Sequence, residues 1–435
     1  MINPRTVAQE LAYASVATRA NQLQQQQNDL DTESSALSTL EDALDDFQSA
    51  IDALDSDTAG PVVYSATSTD DSATISANSQ AQPGKYTFYV DTLATAQQTT
   101  FSFSDGSIPS SGTFTITMGD SEMDIDLSQS DEDGDGTVTV SELADAINHS
   151  EDNPGVSATI VNTGGATTLM LTSEETGEAN AFTVSVSGVD TSSEFYQQIN
   201  TPKDLSTAQD ALIYLGSSPD DGIPITSSDN TFDDLIPGVS ITFTEASTTP
   251  MTFTVAEDTS ASQEKVQTFV DAYNTLVDTL DSLTGYDSNG NAGVFAGDAG
   301  LSSLERRLND ITHATYGDVS ILDYGIALDS DGHLEIDSDQ FSEAMKENPE
   351  GLTSIFVGDD SMVAQMDSLL DTYLDSSDGI IAQRQSTLSD KQEKIDDQVD
   401  QLTNTYNTTY DRYLNEYTQT LIEITSMEES MAAFS

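Results

Sequence analysis

The chain contains no cysteine and no tryptophan, and only 12 of its 435 residues are lysine or arginine. Without cysteine there is no disulfide, no thiolate metal site and no cysteine nucleophile, which excludes the usual disulfide-framed extracellular scaffold. The 12 cations face 76 acidic residues, giving a formal charge of −64. Duplex DNA and RNA binders draw much of their affinity from Lys and Arg on phosphates, and basic patches hold peripheral proteins on anionic lipid. This composition suits neither, so no nucleic-acid partner is expected. No run approaches the roughly 20 apolar residues of a membrane span, so membrane insertion is not expected. The opening MINPRTVAQELAYASV lacks the charged, apolar, small-residue succession of a cleaved secretory signal. A surface of one sign repels itself and is best tolerated in salt, where screening acts over about 8 Å or less.

Glycine and proline are also missing, from both ends of the chain: none occurs in 5–59 or in 380–435. Val16, Leu23, Leu30, Leu37, Leu44 and Ile51 recur every seven residues, and Leu40, Phe47 and Leu54 fill the second heptad position of the later half. Such a stripe must bury against another helix. In the earlier half the second position holds Arg19, Gln26 and Glu33, so the seam there is weak without a partner. Near the other end Leu388, Ile395 and Leu402 keep the seven-residue step, with Val399, Tyr406 and Tyr413 as companions. The stripe then shifts to Tyr410, Leu414, Tyr417, Leu421, Ile424 and Met431. Two long helices at opposite ends can pair and carry the middle of the chain as an insertion. The expected contact sets Val16, Leu23, Leu30, Leu37, Leu40, Leu44 and Phe47 on Leu388, Ile395, Val399, Leu402, Tyr406 and Tyr413.

Between the ends, 61–255 reads as β-structure: KYTFYVDTL, GTFTITM, MDIDL, VSATIV, TLMLTS, FTVSV and VSITFTE alternate apolar with polar residues between turn signals. This region has 29 acidic residues and only Lys85 and Lys203 as cations. Helical spacing returns at Val266–Leu283, closed by Gly285, then at Leu301–Ile311 and around Met366, Leu369 and Tyr373.

One local motif is sharp. DEDGDGTVTVSE fills a calcium-loop template, with Asp131, Asp133 and Asp135 at positions one, three and five and Gly136 at six. Thr137 offers a carbonyl at seven and Glu142 a bidentate carboxylate at twelve. The expected cofactor is a structural Ca2+ in a strand–loop–helix setting. The competing reading is an Asp-rich turn in an Asp-rich chain. Asp287 to Asn291 and the Asp329/Asp331/Gly332 stretch read as plain polar turns. Enzymatic constellations are missing: His149, His313 and His333 lie in unrelated contexts, and there is no HExxH, GxSxG or Walker loop. No catalytic residue is assigned, and a non-enzyme is expected.

The order of segments resembles the flagellar hook-associated protein 2 family of filament caps. The likeness is carried by VAQELAYASV, PGKYTFYVDTLATAQQ, TLMLTSEETGEANAFTV, AQDALIYLG, SSDNTFDDLIPGVSITF, KVQTFVDAYNTLVDTLDSLTGYD, GVFAGD, YGIALDSDGHLEID and FSEAMKENPEGLTSIF, in the family order. The family's Gly-rich opening ahead of the first helix has no counterpart here. The resemblance implies a structural cap at the distal end of the bacterial flagellar filament. Such a cap is extracellular, exported by the flagellar type III apparatus with a chaperone, and assembled as a ring of about five copies. It retains flagellin and promotes its folding at the tip. The implied fold is α+β and multidomain, a coiled-coil leg of terminal helices with nested β-rich head domains. Its parts are 1–59 (N-terminal leg), 60–97 with 188–258 (inner head), 98–187 (outer head with the calcium-type loop), 259–375 (helical bundle) and 376–435 (C-terminal helix). The seam residues Val16, Leu23, Leu30, Leu37, Leu44, Leu388, Ile395, Leu402, Tyr410, Tyr417 and Leu421 are the expected partner-binding set. The stretches 11–30 and 410–424 are expected to order only against flagellin or neighbouring copies. Rival readings are a hook–filament junction protein, a flagellin variant, or a calcium-dependent adhesin.

Overall fold

The computed structural model describes residues 3–55, 59–103, 107–131, 134, 137–163, 166–287 and 289–433. In chain order the helices are α1 (Pro4–Asp52), α2 (Val140–His149), α3 (Glu194–Ile199), α4 (Thr259–Thr284), α5 (Ala299–Thr312), α6 (Ser338–Glu347), α7 (Pro349–Phe356), α8 (Met362–Leu374) and α9 (Ile380–Ala433). The chain divides into two units: a helical one built from Met1–Val62 with Thr259–Ser435, and a β-rich one, Val63–Asp258. No helix among the described residues is long and apolar enough to cross a membrane.

In the helical unit, α1 starts where the sequence says it should: Asn3 accepts a hydrogen bond from the Arg5 amide, and Pro4 sits at the first helical position. With no glycine or further proline to break it, α1 runs 49 residues and α9 runs 54. The two lie antiparallel, as cross-pairs Arg19–Gln398 and Lys391–Glu33 at 2.9 Å show. The later half of α1 feeds an aromatic core. Phe47 is fully buried, its ring 5.8 Å from Phe269 and 6.0 Å from Tyr273 on α4, and Phe269 meets Phe356 edge-on at 5.4 Å. Residues 11–30 and 410–424, expected to order only against a partner, both lie within these continuous helices. Over 11–30 the cover is intramolecular, since Ala12, Val16, Leu23 and Leu30 are buried within the single chain, whereas 410–424 stays half-covered or exposed.

The β unit holds two cores. The inner one lies between a five-stranded antiparallel sheet and a three-stranded sheet. The five strands run in the order Tyr64–Ser68, Met251–Glu257, Gly84–Thr92, Ala211–Leu215, Ile223–Ser227, and the three run Thr231–Ile236, Val239–Phe243, Ala73–Ala77. Phe88, Phe243 and Phe253 interlock there, with centroids 5.6 to 6.1 Å apart. The outer core lies under a four-stranded sheet (Lys203–Ser206, Gln98–Phe103, Ala166–Ser173, Val156–Thr163) and a three-stranded one (Phe182–Ser187, Thr113–Met118, Ser121–Asp126). The period-two apolar pattern fixes both faces.

The expected outer boundary at 187 is too early. Phe195 and Ile199 of α3 belong to the outer core, Phe195 stacks on Phe103 at 5.6 Å, and the strand Lys203–Ser206 pairs with Gln98–Phe103. The apolar residues of SSEFYQQIN are too few to bury alone, so they complete the larger neighbouring core.

Candidate interaction site: the paired terminal helices

The α1–α9 seam begins as an ordinary buried coiled coil and then opens. Val16, Leu23, Leu30, Leu37 and Leu44 of α1 are buried, as are Leu388 and Ile395 of α9. Leu402, Tyr410, Tyr417 and Leu421 are only half-covered. Val399, expected as a seam companion, is 44% exposed. It lines an open groove of about 390 Å³ together with Val16, Ala20, Leu23, Ile395 and Leu402. Ala20 contributes only a methyl to the lining of that groove.

Register is set by polar pairs the sequence did not reveal. The side-chain amides of Gln27 and Gln392 exchange two hydrogen bonds, 2.7 and 2.9 Å, a reciprocal layer that only one alignment satisfies. Gln385 donates to Glu41 at 2.6 Å. At the root of α9 the Arg384 Nη2 lies 2.9 and 2.8 Å from the two Asp298 oxygens and its guanidinium sits over Phe295. Asp298 also caps α5 through the Gly300 and Leu301 amides. Burial pushes the Asp298 carboxyl up, but Arg384 and those amides outweigh it and hold it below the usual carboxylate value.

Past Gln398 the two helices run out unequally. Fifteen residues of α1 precede Arg19 while thirty-five of α9 follow Gln398, so about 20 residues, roughly 30 Å of helix, have no α1 residue opposite. The stripe continues regardless. Ile424 is 48% exposed, Ile422 64%, Met427 67% and Met431 74%, a concentration of apolar surface that marks an interaction site.

The calcium-type loop is described only in part, since Asp133 and Asp135 lie outside the described residues. Asp131 accepts the Gly134 amide at 2.8 Å, and Gly134 has φ +73°, a left-handed turn that glycine permits. Glu142 forms a capping box at the start of α2: its Oε2 accepts the Thr139 amide at 2.7 Å and hydroxyl at 2.8 Å, while Thr139 caps the Glu142 amide. Bidentate ligation by Glu142 would therefore share Oε2 with Thr139 or release it.

Comparison with known proteins agrees with this architecture. The family models described as Flagellar hook-associated protein 2 N-terminus and C-terminus match residues 2–97 and 208–429, and the Flagellin hook IN motif matches 113–175. The lateral flagellar hook-associated protein 2 of Vibrio parahaemolyticus is 34% identical over 370 residues, covering 83% of each chain. Flagellar hook-associated protein 2 of Escherichia coli K12 is 31% identical over 85% of this chain and 82% of that one. The crystal structure of the D1-D2-D3 domains of the flagellar cap protein FliD from Escherichia coli superposes with a TM-score of 0.67 at 30% identity, over 82% of this chain and 99% of that one. With terminal helices paired around an inserted β unit, and both ends of the family pattern matched, the chain belongs to the flagellar hook-associated protein 2 family, the structural, non-enzymatic caps of flagellar filaments.

Proposed function

We propose that the chain caps the distal end of a flagellar filament as a ring of about five copies, outside the cell, where it retains exported flagellin and promotes its folding into the tip. The carrying observation is the distal α9 segment, whose bare Ile422, Ile424, Met427 and Met431 need a helical neighbour that this chain does not supply. Filament subunits are that neighbour. The type III export apparatus delivers the chain, and an export chaperone covers the same stripe beforehand, because an exposed apolar helix aggregates in a cell. The chain has no cysteine to crosslink in transit. Deleting the chain should shed flagellin monomer into the medium and shorten filaments. The full-length chain should restore them and one truncated after residue 413 should not. Normal filaments in the deletion strain would reject the reading.

A structural calcium ion in the loop 131–142 is part of the proposal, held by Asp131, Asp133, Asp135, the Thr137 carbonyl and Glu142. It is supported by the template spacing and by the left-handed Gly134 turn that brings the Asp131 carboxylate inward. Calcium titration calorimetry on the wild type and Glu142→Gln decides it: no heat in the wild type removes the ion.

A further inference from the structure

Arg306 and Arg307 on α5 are the only adjacent pair of cations in the sequence. Both are exposed, and neither forms an ion pair among the described residues. Asp310 stands three and four positions further along the same helix, yet no pair closes. Several other cations of the helical unit are engaged. Arg384 holds Asp298, Lys391 holds Glu33, Lys265 donates to the carbonyls of Ala59 and Gly60, and Arg412 lies over Tyr413.

Arg307 lines an open groove of about 540 Å³ between α5 and α8. Ile311 and Leu369 give it an apolar floor, and Gln365 and Thr372 supply neutral hydrogen-bonding groups. Asp310 and Asp359 also line it, so the groove repels a broadly anionic surface. It admits a localised carboxylate at its arginine end. An apolar centre with a polar rim and an arginine anchor is the anatomy of a protein interface.

We propose that this groove is an interface between copies of the chain, in which Arg307 in the groove and its exposed neighbour Arg306 each take a single, localised carboxylate of the next copy. The occupant follows from charge. Two bodies of −64 approach only where local attraction offsets the mean repulsion, and a planar guanidinium matches a carboxylate with paired hydrogen bonds. Every copy carries the complementary acids in excess. The contact joins unlike surfaces, so it can repeat around an axis and close a ring. It rests on the cap reading only in requiring that copies associate.

Sedimentation of the full chain across a salt series, without filaments, tests it. Wild-type association should strengthen as salt screens the mean repulsion. R306Q/R307Q should weaken it about tenfold at low salt, the gap narrowing as salt rises, with an unchanged thermal melt. R306K/R307K should lose less, because it keeps the charge and gives up only the fork. Equal association of R306Q/R307Q and wild type overturns the proposal, and so does a loss that ignores salt. A variant that associates normally but fails to cap would give the groove to a filament subunit and overturn it as well. A wild type that stays monomeric at every salt would instead defeat the oligomeric cap reading.

Discussion

Leu23 and Leu40 are both on the α1 stripe and both buried, at 2% and 0% exposure, yet their truncation should cost different amounts. Leu40 stands seven residues before Phe47, on the face that enters the aromatic core. Leu40→Ala removes its transfer free energy and leaves a closed cavity, for about 3–5 kcal/mol. Leu23 borders the 390 Å³ groove, so the space left by Leu23→Ala joins one that solvent already reaches. The cavity contribution then falls away and the loss drops to about 2–3 kcal/mol, mainly transfer. Urea unfolding followed by far-ultraviolet circular dichroism, at fixed salt and low protein concentration, measures both. Equal losses would refute the open-groove reasoning, because they would mean that the seam around Leu23 is sealed. A loss below about 1 kcal/mol at Leu23 would mean that α1 and α9 do not pair there.

Other consequences can be checked directly. Asp298 is held below the usual carboxylate value in the folded chain. Its stabilisation is therefore complete above that value and fades as pH falls through the lower folded one; acid unfolding of Arg384→Gln should show a shallower acid limb than wild type. Gln27→Leu alone takes both cross-helix hydrogen bonds from Gln392, leaving its amide only Asp396 at 3.0 Å and its carbonyl oxygen without Gln27, and should cost about 1–3 kcal/mol. The double change with Gln392→Leu should recover most of that while relaxing helix register, which spin-label distances between 19 and 398 would report. Thr139→Ala removes the N-cap of α2 and should lower stability by about 0.5–2 kcal/mol; no loss in thermal melts would exclude the cap.

Long-period order was legible because nothing local opposed it. Residues 5–59 and 380–435 lack glycine and proline, and the seven-residue step from Val16 to Ile51 names the buried face of α1 almost residue by residue. The β alternation was equally plain, since Phe88, Val90, Phe253 and Val255 sit at period two and are all buried. What could not be read depended on partners distant in the chain. Gln27 and Gln392 are 365 positions apart, and two glutamines in polar company carry no mark of reciprocity. Val399 fits the heptad yet lines the groove with Ala20, an opening visible only after the helices are aligned. The assignment of α3 to the outer core required knowing that Phe103 was within 6 Å of Phe195.

The first and last strands of the β unit lie side by side. Tyr64 pairs with Glu257, and the Asp258 amide donates to the Val63 carbonyl at 2.8 Å. A segment of almost two hundred residues therefore leaves and rejoins the helices through a doorway one hydrogen bond wide. Bridging such a gap with a short turn carries little loop-closure cost. The β unit is therefore joined to the rest of the chain like a cassette: a short turn from Val62 to Thr259 in its place should leave the helical unit able to fold.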